Sequence, residues 1–155
     1  KASLFFVGAC AAPKILANAG DDATRGAYFN IEQELPKPGT VDPDTRLYDL
    51  VLAKYAPGLD PAGAGTVSFR SVMNLYVQMR ALGSRATERP AILRAFRDAV
   101  GHPSFMGHAY TCDGEQLPGL PAMCSPQQVI VQKTDRGLVE RSGWIDVGAL
   151  VPPSK

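Results

Sequence analysis

Apolar residues fall in short strand-like runs near the two ends of the chain and in helical stripes between them. Leu4-Phe5-Phe6-Val7, closed by Gly8, is an unbroken apolar run of the kind a buried parallel strand shows, and it predicts a strand over residues 3–9. Ala11 to Ala19 reads as a short helix, with Pro13 in its first turn and Gly20 as its stop. Asp21 to Arg25 reads as a solvated turn, and Gly26 to Ile31 as a second strand rich in aromatic and β-branched residues. Pro36, Pro38 and Gly39 mark residues 32–39 as a linker or crossover.

Three helical patterns follow. Asp42-Pro43 supplies an N-cap and a first-turn proline, Leu47, Leu50, Val51 and Tyr55 share one face, and Pro57-Gly58 ends the pattern. After a loop at Asp60–Gly65, the longest stripe runs from Thr66 to Leu82, with Thr66 as cap, Phe69, Val72, Met73, Tyr76 and Met79 at helical spacing, and Gly83 as stop. The stripe through Tyr76 and Met79 is expected to be core. A third pattern runs from Glu88 to Val100 behind a Thr87 cap, with Ile92, Leu93, Phe96 and Val100 apolar. Arg85, Arg89, Arg94 and Arg97 read as its solvated face. Residues 101–126 show no helical period and many breakers. Val129-Ile130-Val131 is a strand core, Thr134-Asp135-Arg136-Gly137 a hairpin turn, and Leu138-Val139 the start of a return strand. Strands at the two ends with helices between them predict an α/β architecture.

Composition narrows the function classes. The 155 residues are 45% apolar and 20% charged, ordinary for a globular protein with a core. Sixteen basic against 15 acidic residues give a net charge of +1, so no single-sign field exists to attract nucleic acid or an anionic membrane. No apolar run approaches the roughly 18 residues that span a bilayer. The opening Lys1-Ala2-Ser3-Leu4 is neither a signal peptide nor an initiator segment, and a buried strand at this position predicts that the sequence starts inside a longer protein.

Cys112 and Cys124 bracket a segment that Pro118 and Pro121 bar from being helical. Such a loop needs a staple or extensive packing. A Cys112–Cys124 disulfide would contribute about 3 kcal/mol on the chain-entropy model and would imply an oxidising compartment. The alternative is two buried, reduced thiols. Cys10 is the third cysteine and reads as buried and free.

No catalytic constellation stands out. His102 and His108, both in the breaker-rich stretch, do not combine with Cys112 and Cys124 at any closed metal-site spacing, and no metal ligand set is expected. Cys10, between a strand and a helix, occupies a place where a thiol pKa can be lowered, but a small buried turn residue is the simpler reading. No nucleophile elbow, phosphate loop or dinucleotide fingerprint occurs. Glu32 and Glu34 follow the second strand on one side of an extended segment. Glu34 reads as solvated linker charge, Asn30 and Glu32 as candidates to hold a polar ligand group. Tyr28 and Phe29 face opposite ways, so at least one of them is core.

The run Gly8-Ala9-Cys10-Ala11-Ala12-Pro13-Lys14-Ile15-Leu16, then Ala19-Gly20, then Gly26-Ala27-Tyr28-Phe29, resembles the late part of type I periplasmic solute-binding proteins, and in particular the branched-chain amino acid (Leu/Ile/Val) binding group. The helices from Thr66 and Glu88 are similar to the two that follow in that family. The segments Tyr110-Thr111-Cys112-Asp113-Gly114 and Val129–Gly137 are similar to its closing portion. The loop between Cys112 and Cys124 is larger than in the simplest members. The resemblance implies a C-terminal portion of a two-lobed α/β fold, with parallel-sheet lobes, flanking helices and hinge crossings. It implies residues 1–33 in the C-terminal lobe, 34–110 in a helical segment of the N-terminal lobe, and 111–155 returning to the C-terminal lobe with the disulfide loop and the hairpin.

The same resemblance implies a function without bond chemistry: capture of a small polar solute, such as an amino acid, for an ABC importer. Lobe closure would be read by a membrane permease. Cleft-facing positions would be Ala9, Cys10 and Ala11 and the strand end carrying Tyr28, Asn30 and Glu32. The partners implied are the solute, the permease and the remainder of the parent chain. No cofactor is implied. The location implied is periplasmic or extracellular, with a lipid anchor upstream of Lys1 as one form of it. Two alternatives stand beside this reading: a ligand-sensing receptor domain of the same fold, and a thiol-dependent enzyme using Cys10 with His102 or His108.

Overall fold

A computed structural model describes residues 2–33, 35, 39–40, 42–59, 61 and 64–152. The chain forms two compact units. The first comprises the residues up to Phe69 together with Gln128–Ile145, and the second Arg70–Gln127 with the residues from Asp146 onward.

The first unit is built on a mixed sheet. Strand β1 (Phe5–Val7) leads through a single 3-10 turn, Gly8–Ala11, into helix α1 (Pro13–Ala19). A one-turn helix α2 (Asp21–Thr24) precedes β2 (Tyr28–Ile31). β2 runs parallel to β1, with Phe5 opposite Tyr28 and Val7 opposite Asn30. On its other side β2 pairs antiparallel with β5 (Gln127–Thr134), which sets Ile130 opposite Asn30, and β6 (Gly137–Glu140) returns alongside β5 from Thr134↔Gly137. The order is therefore β1-β2-β5-β6, and the short β7 (Ile145–Asp146) also pairs β5.

Strand alternation decides which residues are inside. Phe29, Val129 and Val131 point to one sheet face and are 0–1% exposed, and Ala11, Leu16 and Ala27 close over them. Cys10, Ile31, Leu35, Leu138 and Trp144 pack around this core. Phe6 stacks on Phe29 with ring centroids 5.7 Å apart. Outside the core, Lys133 pairs Asp21 at 2.9 Å and Arg25 pairs Asp135, tying α2 and its following turn to the β5–β6 hairpin. Helix α3 (Pro43–Tyr55) starts where Asp42 accepts hydrogen bonds from the Thr45 amide and hydroxyl, both 2.8 Å. It packs Tyr48 against Phe69 of α4 (Ala64–Leu82), centroids 5.0 Å apart.

In the second unit, α4 is followed by a 3-10 turn (Gly83–Arg85) and α5 (Arg89–Arg97). β3 (His102–Ser104) and β4 (Gly107–Tyr110) then form a hairpin. Asn74 of α4 holds its turn with both ends of one amide: Nδ2 donates to Ser104 Oγ at 2.9 Å, and Oδ1 accepts from the Phe105 amide at 3.1 Å. Ala99, Tyr110 and Cys112 are buried, with Phe96 and Cys124 packed on them. Cys112 and Cys124 form a disulfide, and Cys10 is a free thiol.

The α/β class, the parallel β1–β2 pair, the β5–β6 hairpin and the Asp42 cap agree with the sequence pattern. Several expectations do not hold. β1 reads as a buried strand, yet Leu4, Phe5, Phe6 and Val7 are 39–63% exposed, because β1 is an edge of the sheet and α1 covers only one face. Asp21, Asp22, Ala23 and Arg25 are solvated as expected, but Asp21–Thr24 is a helical turn, with Thr24 buried and its hydroxyl bonded to Gly20 O. In α3, Tyr48 is buried while Leu47, Leu50 and Tyr55 are exposed, since the contact with Phe69 selects the buried face. α4 begins at Ala64, so Thr66 lies inside the helix and not at its cap. Tyr76 and Val72 are exposed, and Gln78 is buried with its amide donating to the Tyr110 hydroxyl. α5 buries Ala91, while Leu93 and the later Val100 are exposed. Its first residue follows Glu88, not a Thr87 cap. His102 and His108 sit in a hairpin and not in irregular loop. Arg85, Arg89, Arg94 and Arg97 are exposed as expected. Glu34, Pro36, Pro38, Asp60 and the last residues of the tail lie outside the described residues.

Candidate functional site

Because β1 and β2 are parallel, their carboxyl ends lie at the same end of the sheet, and antiparallel β5 starts there too. In open α/β sheets, ligands bind outside the carboxyl ends of the strands. The 3-10 turn Gly8–Ala11, the β2 end Asn30-Ile31-Glu32, and Gln128 near the start of β5 converge at this end.

The turn is set close to β2. A β-carbon added at Gly8 would collide with the carbonyl oxygen of Asn30, so the backbone approach requires glycine. Within the turn, Ala9 is exposed, Cys10 is half-buried against the core, and Ala11 belongs to the core. Tyr28 and Asn30 project from one sheet face and Phe29 and Ile31 from the other, where the core is. Tyr28 lies at the amino end of β2, opposite Phe5, and Glu32 just beyond its carboxyl end, on the order of 13 Å away at strand rise. The structure thus brings Ala9, Cys10, Asn30 and Glu32 to one end and sets Tyr28 apart.

Pattern reading missed Gln128. Asn30 Nδ2 donates to Gln128 Oε1 at 2.9 Å across the β2–β5 pair. Further along the same face, Gln132 Nε2 donates to Gly26 O at 3.1 Å and Arg141 Nε donates to Gln132 Oε1 at 2.9 Å. The two residues of the first pair are 98 positions apart, and only the register Asn30↔Ile130 brings them together. A Gln-Gln doublet opening a β-branched run was the one signal in the sequence.

In the second unit, the His102 and His108 rings bond the carbonyls of Pro103 and Ala109 at 2.8 and 2.7 Å. Among the described residues no group of three or more His, Cys, Asp or Glu side chains is placed to hold a metal ion, and no helix is long and apolar enough to cross a membrane.

No family model matches the sequence, and no curated protein does. Two solved structures share its architecture. One is a leucine binding protein, LivK, from Thermotoga maritima: TM-score 0.61, 15% identity, covering 92% of this chain and 37% of that one. The other is a branched chain amino acid ABC transporter from Thermus thermophilus with bound valine: TM-score 0.65, 15% identity, covering 94% of this chain and 39% of that one. The chain therefore has, in part, the fold of a type I periplasmic binding protein. It spans well under half the length of these neighbours.

Proposed function

We propose that this chain is the C-terminal portion of an extracytoplasmic solute-binding component of an ABC-type importer, which captures a small polar solute such as an amino acid between two lobes and performs no bond chemistry. The observation that carries the reading is the match of 92–94% of the chain to two amino-acid-binding structures, one with valine bound. On this reading residues 1–33 and 111–155 serve the C-terminal lobe and residues 34–110 the N-terminal lobe. Ala9, Cys10, Asn30 and Glu32 border the cleft, and a membrane permease reads its closure.

Two further observations support it. The Cys112–Cys124 disulfide suits an oxidising compartment, and hence a periplasmic or extracellular site of action. The apolar residues of β1 are exposed on the sheet edge, as they would be where a further part of a parent protein covers them. The test is a thermal-shift screen of the full-length protein against amino acids, amino acid amides and small carboxylates. A ligand-dependent rise in melting temperature is expected for at least one. A flat response across the whole set overturns the proposal.

A further inference from the structure

We infer that Gln128 acts with Asn30 as one donor–acceptor unit that recognises the solute's polar head, an inference that rests on the binding function proposed above. The two carboxamides are diagonal neighbours on one sheet face and are joined at 2.9 Å. Both are half-buried. From the β1 side, the close approach of Gly8 fixes the backbone of Asn30. From the β5 side, Gln128 fixes its side chain.

A carboxamide carries an acceptor oxygen and a nitrogen with two donor protons. Their mutual bond takes the Gln128 oxygen and one Asn30 proton. Asn30 Oδ1 then remains as an acceptor and Gln128 Nε2 as a donor. Turning both amides over reverses the bond and still presents one acceptor and one donor, so the conclusion does not depend on amide assignment. The pair carries no charge and lies near the carboxyl ends of two parallel strands, the end of an open α/β sheet outside which ligands bind. A lone carboxylate satisfies the donor and is repelled by the acceptor, and a lone ammonium does the reverse. The group that satisfies both carries a donor and an acceptor side by side: the zwitterionic head of an amino acid, or a carboxamide.

The test is calorimetric titration of the full-length protein and its Gln128→Glu variant with the twenty L-amino acids and with L-amino acid amides. Glutamate keeps an oxygen for Asn30 but puts a second oxygen where the donor was. Its ratio of affinity for an amino acid to affinity for the matching amide should fall by about tenfold or more, the size of one charge-assisted hydrogen bond. Gln128→Met, of similar length without a donor, should weaken both probes and supplies the comparison if glutamate lowers the melting temperature. Stronger binding of amino acids by the wild type points to the zwitterion as the ligand source, and stronger binding of amides to the carboxamide. If the wild type binds a probe and neither the ratio in Gln128→Glu nor the affinity of Gln128→Met moves by more than twofold, the inference fails and the binding function stands. If the wild type binds none of the probes, both fail.

Discussion

Gln78 of α4 donates a buried hydrogen bond to the hydroxyl of Tyr110 at 2.8 Å. One helical turn earlier on the same face, Asn74 grips the turn of the same hairpin. These two amides bond β3–β4 to the helix, while Tyr76 of the expected core stripe is exposed. Tyr110→Phe should leave the Gln78 amide buried without its acceptor and cost about 1–3 kcal/mol. Gln78→Leu combined with Tyr110→Phe should cost less than the sum of the single changes. Denaturant unfolding of the four proteins checks this; additive effects would mean that the bond contributes nothing.

The disulfide closes a non-helical loop that contains Pro118 and Pro121, with Cys112 buried beside Ala99 and Tyr110. Reduction should lower stability by about 3 kcal/mol. For a domain of this size that corresponds to roughly 6–12 °C in melting temperature. Melting with and without a thiol reductant measures it, and coincident curves would refute it.

Gly8→Ala forces a methyl group against the Asn30 carbonyl. The strand pair or the turn must yield, at about 1–3 kcal/mol. Chemical denaturation of Gly8→Ala beside the wild type reads the cost. An unchanged midpoint would show that the turn does not sit on β2 as described.

Lys133 holds the Asp21 carboxyl below the usual carboxylate range, by hydrogen bond and by charge. A carboxyl whose folded pKa is depressed contributes stability that is present above its unfolded pKa and lost as pH falls through the folded value. The stability gap between wild type and Lys133→Met should therefore be constant at neutral pH, close as the solution is acidified below the ordinary carboxylate range, and narrow with added salt. Asp21 is exposed, so the gap is expected to be small. A gap that widens on acidification would contradict the pairing.

Local chemistry explains what the sequence made legible. Asp42-Pro43 is a self-contained start signal, and Thr134-Asp135-Arg136-Gly137 between β-branched runs specifies a hairpin wherever it folds; Gly137 indeed takes φ 97°. The strand–turn–helix step around Gly8 and the strand end carrying the candidate residues Asn30 and Glu32 follow from the same local order. The remainder depended on partners far away in sequence. His102-Pro103-Ser104 has no strand character of its own and becomes one through Tyr110, Gly107 and Asn74. Tyr48 displaces Leu47 and Leu50 from the buried face because Phe69 lies where it does. Leu4–Val7 reads as a buried strand because composition reports a preference for burial, not the presence of a covering layer. Gln128 joins Asn30 only through strand register, which no local pattern encodes.

The proposed role of the parent protein is tested most directly by equilibrium binding. The full-length protein, freed of any co-purified ligand by unfolding and refolding, is titrated calorimetrically with each L-amino acid, with the amino acid amides and with small carboxylates. One-to-one saturable binding of at least one of them is the result expected. No binding heat for any of them at millimolar concentration, by a refolded protein with its native melting temperature, would contradict it.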